Sequence, residues 1–391
     1  MKVYVPADSA ARSVGSDTIA EAVHKAHPEA EIIRPGSRGL YAFEPLIEVD
    51  VSDGRVAYGP VNEQEAVEIV SSGKPLPAHK KYLGPLDQHE LISFQDRLTF
   101  QRVGIIEPLD IEAYEAMGGW TGLNKAIALS PQDIVEQIKA SGLRGRGGAG
   151  FPTGIKWQTV LDTPSEQKYI VCNADEGDSG TFADRMIMES DPFCLVEGMV
   201  IAGLAVGADH GFIYTRFEYP QAIETLNRAI ELATHRGFLG DDVLGSGRAF
   251  HLEVREAAGA YICGEETSLL ESLEGKRGTI RFRPPLPAIK GLFGQPTVVN
   301  NVISLASAPV ILGRGAKYYQ DYGMGRSRGT LTIQLAGNAK RPGLYEVGFG
   351  ISLRQVLYDI GGGTASGRPI RAVQAGGPLG AFIPEQHFDT P

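Results

Sequence analysis

The stretch Gly142-Leu143-Arg144-Gly145-Arg146-Gly147-Gly148-Ala149-Gly150-Phe151-Pro152-Thr153-Gly154-Ile155-Lys156-Trp157 organises the reading of the whole chain. Glycines let a backbone turn through positive φ and bring its N–H groups against a ligand. Arg144, Arg146 and Lys156, interleaved with them, supply charge for phosphate oxygens. The stretch reads as a loop that cradles the phosphates of a nucleotide or flavin. Its context decides the fold. Ser130-Pro131-Gln132-Asp133 opens a helix, with Ser as N-cap, Pro at the first helical position and an acid in the first turn; Gly142 ends it. Gly145-x-Gly147-x-x-Gly150 matches the dinucleotide fingerprint, but that fingerprint must follow a strand and open a helix. Here it follows a helix, so the ordinary Rossmann reading is rejected.

Downstream, Lys168–Val171 predicts a strand that delivers Cys172-Asn173-Ala174-Asp175-Glu176-Gly177-Asp178-Ser179-Gly180 at its carboxyl end. Ligand sites in open α/β sheets lie there, although the same residues also suit a plain surface turn. Leu195–Gly207 reads as a buried helix, Phe212–Arg216 as a strand, Pro220–Thr234 as an amphipathic helix and His251–Val254 as another strand. Ala258–Cys263 is expected as a strand, followed by Gly264-Glu265-Glu266-Thr267 opening a helix through Leu273. Two readings stand for the acids: they favour the helix dipole, or they accept hydrogen bonds from a ribose or nicotinamide. Arg281–Ala288 (R-F-R-P-P-L-P-A) then leads to Gly294-Gln295-Pro296-Thr297-Val298-Val299-Asn300-Asn301, whose twin asparagines suit either a helix cap or a site.

Upstream, residues 1–74 read as a small α/β unit. Lys2–Pro6 and Glu31–Arg34 alternate as strands and Thr18–Ala26 has helical spacing. Ser52-Asp53-Gly54 is a hairpin turn between Leu46–Asp50 and Arg55–Tyr58, and Asn62 caps a helix through Val70. Residues 75–128 are expected as a linker with helical pieces, and 129–325 as the main domain. In 326–391, strands at Leu331–Leu335, Gly343–Val347 and Arg371–Gln374 around a helix at Leu353–Ile360 suggest a β-grasp-like module.

Composition bounds the function. The 391 residues carry a net charge of −10 and are 42% hydrophobic, and no Lys/Arg run rises above the acidic background, which disfavours nucleic acid. The N-terminus has no apolar leader segment, and the most apolar run, Cys194–Ala208, is interrupted by Glu197 and falls short of a membrane span. A soluble protein is expected. Its three cysteines, Cys172, Cys194 and Cys263, form no C-x-x-C pair, so no metal site is expected; they fit buried thiols in a reducing cytoplasm.

Taken together, G-L-R-G-R-G-G-A-G-F-P-T-G-x-K-W, C-N-A-D-E, G-A-Y-I-C-G-E-E-T and P-T-x-x-N-N-V closely resemble the flavin-containing NADH-binding subunit of respiratory NADH dehydrogenase, which recurs in NAD-linked hydrogenases and formate dehydrogenases. The resemblance covers about Gly122 to the end. It implies an α/β architecture: a thioredoxin-like N-terminal domain, a Rossmann-like FMN/NADH-binding domain and a soluble-ligand-binding β-grasp domain. It implies FMN held by Gly145, Arg146, Gly147, Gly148, Gly150, Lys156, Asn173, Asp175, Gly264, Glu265, Asn300 and Asn301. NAD would contact Phe151, Glu176, Asp178, Tyr261 and Glu266. No catalytic acid or base is implied, because hydride transfer between nicotinamide and flavin needs orientation and electrostatics rather than proton chemistry. Asp178 is expected to disfavour NADPH by repelling a 2′-phosphate.

The chain departs from the family in several places. Where respiratory relatives carry adenine-flanking phenylalanines, it has Thr159 and Leu286, at an expected cost of roughly 1 kcal/mol or more of affinity. Asp178-Ser179-Gly180 replaces the common E-P-G. The family's helical domain with a [4Fe–4S] cluster is not in the sequence, which favours a fragment. The first segment resembles a thioredoxin-like [2Fe–2S] subunit, but reads P-A-D-S-A-A-R and R-P-G-S-R-G-L-Y where that subunit has cluster cysteines; a docking or spacer role is expected. A cysteine-free front segment most resembles the β subunit of a soluble molybdenum- or tungsten-dependent formate dehydrogenase. That resemblance implies a metal-bearing α subunit and a small [2Fe–2S] γ subunit as partners. The alternatives are the diaphorase subunit of an NAD-reducing hydrogenase or of respiratory NADH dehydrogenase and, in another class, a flavin-free assembly subunit.

Overall fold

The computed structural model describes residues 1–51 and 54–390, which fall into two compact units. Unit one comprises residues 1–97, 101–108 and 332–391, and unit two comprises 98–100 and 109–331. The segment 75–128, expected as a linker, is therefore divided between them. Its later part carries the helices Ile111–Ala116 and Thr121–Ile127, where Tyr114, Trp120 and Leu123 are fully buried.

Unit one is built on a sheet of β1 (Lys2–Tyr4), β2 (Glu31–Ile33), β3 (Ile47–Val51), β4 (Gly54–Tyr58) and β5 (Tyr82–Gly84), in the order β2-β1-β3-β4-β5. β1 and β2 run parallel and the other pairs antiparallel. Of the expected hairpin turn, Ser52 and Asp53 lie outside the described residues; the strands on either side pair with Ile47 opposite Tyr58. Helices Ser16–Ala26 and Glu63–Ser72 present Ile19, Ala20, Val23 and Ala66, Ile69, Val70 to a core shared with Val3, Ile47, Val49 and Val56. This i, i+3, i+4 spacing puts each apolar set on one helix face, and each fully buried Ile or Val contributes about 1.5–3 kcal/mol. Asn62 and Glu65 cap the second helix reciprocally, satisfying two N–H groups that the helix itself leaves unmet. The other core of unit one joins Leu40, Leu46, Ala57 and Leu86 to Tyr345, Val347 and Ile360. Late in the chain, Thr330–Leu335 pairs with Gly343–Gly348, and in unit one Ala372–Ala375 runs antiparallel to Ala381–Pro384 as a separate two-stranded ladder.

Unit two carries a parallel sheet of β6 (Tyr169–Ala174), β7 (His210–Thr215), β8 (His251–Glu256) and β9 (Thr297–Asn301), ordered β8-β7-β6-β9. Helices alternate with the strands. The chain steps outward from β6 to β8 and then returns to the far side of β6, so the order reverses between β6 and β9. In open α/β sheets a crevice at such a reversal is where ligands bind. Helix Pro192–Val206 is buried along its whole length, which accounts for its unbroken apolar character, and Glu197 is its buried charge. The Glu197 carboxylate accepts from Tyr114 Oη at 2.6 Å and from the N–H groups of Trp120 and Leu123 at 2.9 Å each, capping the helix Thr121–Ile127. No helix among the described residues is long and apolar enough to cross a membrane.

One expected strand is absent. After β8 the chain does not extend through Ala258–Cys263; it loops, with a single tight turn at Tyr261–Gly264. The apolar run there misleads because only Cys263 faces inward, whereas Tyr261 is 61% exposed. Gly259 also sits at positive φ, where a side chain would strike the Phe217 ring, a conformation foreign to a strand.

Candidate functional site at the carboxyl edge of the parallel sheet

The glycine loop lies between two helices. Ser130 caps Pro131–Ser141, and Gly142, at φ 72°, ends it. The loop is then pinched at its base, where Gly145 N–H donates to Phe151 O at 2.9 Å and Thr153 N–H to Leu143 O at 3.0 Å. The next helix, Thr153–Asp162, starts directly after this pinch. Gly148 and Gly150 adopt φ of 105° and 60°, which side chains resist. At Gly147 the requirement is space: a Cβ there would stand 3.2 Å from Asn301 Cβ.

The two cations of this stretch in the expected flavin set diverge. Lys156 Nζ donates to Val299 O at 2.8 Å and to Glu266 Oε2 at 3.2 Å, so it sits beside β9. Arg146 is tied into the chain. Its guanidinium donates to the carbonyls of Thr330 (3.0 Å), Arg144 (2.6 Å) and Arg328 (2.7 Å) and to Tyr319 Oη (2.9 Å). With four of its donors on the chain, Arg146 anchors the loop, and its own N–H donates to Ser304 Oγ at 2.8 Å.

At the order reversal, β6 and β9 bring three expected residues together. Cys172 pairs with Asn300 and Asn173 with Asn301 across the ladder. Asn300 Oδ1 accepts from the buried Trp157 indole at 2.8 Å. Asn301 caps the helix Val302–Arg314 through Ile303 N–H at 2.9 Å. Asn173 Nδ2 donates to Gly264 O at 2.8 Å, tying in the third cluster. There Glu265 is the N-cap of Glu266–Leu273, accepting from Thr267 and Ser268 N–H at 2.9 Å each. Burial pushes the Glu265 carboxyl up, but these hydrogen bonds and the Arg283 charge win, and it sits below the usual range. Burial pushes Asp175 up to about 6, against the pull of Arg216.

Of the residues expected on the nicotinamide side, Asp178 accepts from Tyr261 Oη at 2.5 Å, and the Tyr261 ring lies over Gly177, where a Cβ would come within 2.8 Å of it. Glu266 is shared between Lys156 and Arg283, the latter at 3.1 Å. Phe151 is half-exposed at the end of the glycine loop. Glu176 is otherwise engaged: its carboxylate accepts from Asp184 and Arg185 N–H at 3.1 and 3.2 Å, capping the helix Ala183–Ser190. Thr159 hydrogen-bonds back to Ile155 O at 3.0 Å, and Leu286 is half-exposed.

Three residues that the expected set left out belong to this neighbourhood. Arg283 pairs with Glu265 and Glu266; Asp184 accepts from Asn301 Nδ2 at 2.6 Å; and the Arg144 guanidinium lies 3.8 Å from where a Gly150 side chain would start. The R-F-R-P-P run signalled Arg283 and the glycine stretch signalled Arg144. Asp184 gave no signal, since an acid in a first helical turn is commonplace.

The donor and acceptor set fits FMN. Exposed glycine amides and Lys156 suit a phosphate. Asp175 Oδ2 and Glu265 Oε1 are buried and make no hydrogen bond, which suits the hydroxyls of a polyol chain.

Comparison with known proteins agrees with this geometry. Residues 138–310 match the family described as the Nuo51 FMN-binding domain. The NADP-reducing hydrogenase subunit HndC of Solidesulfovibrio fructosivorans is 48% identical over 296 residues, 76% of this chain and 60% of that protein. An NADH-quinone oxidoreductase subunit of Rhizobium meliloti is 49% identical over 281 residues, 72% of this chain and 67% of that one. Its counterpart in the NADH-quinone oxidoreductase of Escherichia coli is 45% identical, across 73% of this chain and 64% of the relative. The aligned part thus spans about two thirds or less of these relatives' own lengths. Among solved structures, an NAD+-reducing [NiFe]-hydrogenase in the H2-reduced state superposes with a TM-score of 0.63 at 27% identity, over 99% of this chain and 65% of that one. The chain belongs to the family of NADH-binding flavin subunits of NADH dehydrogenases and hydrogenases.

Proposed function

We propose that this chain is a diaphorase module that exchanges a hydride between NAD(H) and FMN and serves a larger electron-transfer complex. The observation that carries the reading is the convergence of separate polar clusters on one sheet reversal, with two buried carboxylate oxygens left without hydrogen bonds. FMN, when bound, supplies chemistry the side chains lack: it accepts two electrons as a hydride and releases them singly.

The chain's own residues bind and orient. The glycine loop and Lys156 hold a phosphate, while Asp175 and Glu265 take up hydroxyls. Asn173 keeps Gly264 close to β6, so the third cluster cannot drift from the first. Arg283 and Lys156 flank Glu266 and fix its carboxylate on the nucleotide side. Tyr261 holds Asp178 in place, and Asp178 supplies the negative charge that opposes a 2′-phosphate. Glu176, on the nicotinamide side, also caps the helix that starts at Ala183.

For the electron partner, the hydrogenase and NADH dehydrogenase alternative takes precedence over the formate dehydrogenase reading. The relatives named above are subunits of those two enzyme types, and the hydrogenase structure aligns with nearly the whole chain, the cysteine-free front unit included. Formate dehydrogenase, with its molybdenum or tungsten α subunit and [2Fe–2S] γ subunit, rests on the front segment alone. Native purification with metal analysis separates the readings. A co-purifying nickel–iron subunit is the expected result; molybdenum or tungsten would restore formate, and membrane subunits would point to the respiratory enzyme.

A further inference from the structure

Helix Ala183–Ser190 begins where the loop after β6 ends, and an acid pair is buried at that start. Glu176 receives the N–H groups of Asp184 and Arg185 and the Tyr219 hydroxyl, the last at 3.2 Å, while Arg216 holds the Glu176 carbonyl at 2.6 Å. Asp184 is only 6% exposed, and its Oδ2 accepts from Asn301 Nδ2 at 2.6 Å. Asn301 uses its other end, Oδ1, to accept from Ile303 N–H, and its Cβ fills the space that Gly147 leaves open. A single amide thus meets the glycine loop, a helix start and a buried acid.

We propose that Asp184 is a positioning residue for the flavin site: by accepting from Asn301 Nδ2 it holds that amide in place, and through Glu176 it ties the amide to the Asp175–Asp178 loop. This rests on the FMN reading above.

Donors and acceptors decide the amide's orientation. An end-for-end flip would turn the Asn301 NH2 group toward the Ile303 N–H, opposing donor to donor. The Ile303 N–H therefore fixes the orientation, and Asp184 receives the Nδ2 end that this leaves facing it. Burial, together with the neighbouring Glu176 charge, pushes the Asp184 carboxyl well above its usual range. Asparagine has the shape of Asp and keeps an acceptor oxygen for Asn301. Asparagine should therefore replace it, whereas a side chain without an acceptor should not. Glu176 makes the connection to the dinucleotide side, because the helix start it caps is the one that carries Asp184.

The test is FMN binding itself, measured by flavin fluorescence on the deflavinated full chain, with thermal unfolding as a control. Wild type and Asp184→Asn should bind FMN with Kd values within about threefold of each other; Asp184→Ala should bind about tenfold or more weakly. In a cycle with Asn301→Ala, the double variant should be no weaker than Asn301→Ala alone, because Asp184 acts through that amide. If the alanine cavity prevents folding, Asp184→Leu, similar in size and without an acceptor, carries the same expectation. Wild-type affinity in Asp184→Ala or Asp184→Leu, an Asp184→Asn variant as weak as Asp184→Ala, or additive losses in the cycle would each overturn the inference while leaving the FMN reading intact. A wild-type chain that takes up no FMN would overturn both.

Discussion

At the end of β1 in unit one, Asp8 accepts from Ala10 and Ala11 N–H through one oxygen and from Ser37 N–H, at 2.6 Å, through the other. Ser37 Oγ donates to Glu44 at 2.8 Å, and Leu46 N–H reaches the second Glu44 oxygen at 2.9 Å. At the end of β6 in unit two, the acids are less enclosed and less fully met: Asp175 Oδ2 and Glu265 Oε1 have no hydrogen bond, and only the Arg283 charge, at 3.5 Å, faces the latter. The first cluster is closed by the chain upon itself. The second is left open. A buried polar atom without a partner costs about 1–3 kcal/mol, so a fold keeps one mainly where something else completes it. Two polar clusters on sheet edges are thus told apart by which hydrogen bonds are missing, not by composition.

The largest effect should come from the open cluster. Lys156→Ala removes the cation beside β9 and should weaken FMN binding by about 10–150-fold, equivalent to about 1.5–3 kcal/mol for a bond to a charged group. Asp8→Ala, the matching cut in the closed cluster, should leave FMN affinity unchanged and lower stability instead. Equal flavin loss in both variants, measured by fluorescence titration, would erase the distinction.

The closed cluster makes its own prediction with pH. Burial, reinforced by Asp8, pushes Glu44 up to about 8. An acid whose folded value is raised favours the fold below its ordinary value near 4.5 and loses that advantage as pH climbs toward about 8. Denaturant unfolding should therefore show the protein losing on the order of 5 kcal/mol across that window, and Glu44→Gln should flatten the decline. A wild-type profile that rises over the same window would contradict the closed network.

Smaller still, Gly147→Ala places a Cβ 3.2 Å from Asn301 Cβ and should weaken FMN binding by about 1 kcal/mol with little change in thermal midpoint. Asp178→Asn should narrow the NADH-over-NADPH preference by only a few fold, since the residue is near solvent and screened. An unchanged ratio of kcat/KM values would remove Asp178 from any role in that specificity.

Much of this was legible in the residues. Ser130, Asn62 and Gly142 announced helix ends because caps are local chemistry, and the apolar strands of the parallel sheet stood out from the helices between them. The motif clusters pointed to one site because their spacing matched a family. What stayed hidden was where each hydrogen bond ends. The Arg146 guanidinium meets carbonyls of Arg328 and Thr330, far along the chain, which its neighbours in sequence do not disclose. Glu176 caps a helix start eight residues on, which its own motif does not disclose either. Ala258–Cys263 looked like a strand because an apolar run does not disclose that most of it faces solvent.

The most direct test of the central claim is an anaerobic titration of the purified chain with NADH, followed in the visible flavin spectrum. The expected result is a yellow protein with about one FMN per chain whose visible band bleaches on addition of about one equivalent of NADH. A protein that binds no FMN at the open cluster, or one whose bound FMN stays oxidised in excess NADH, would contradict it.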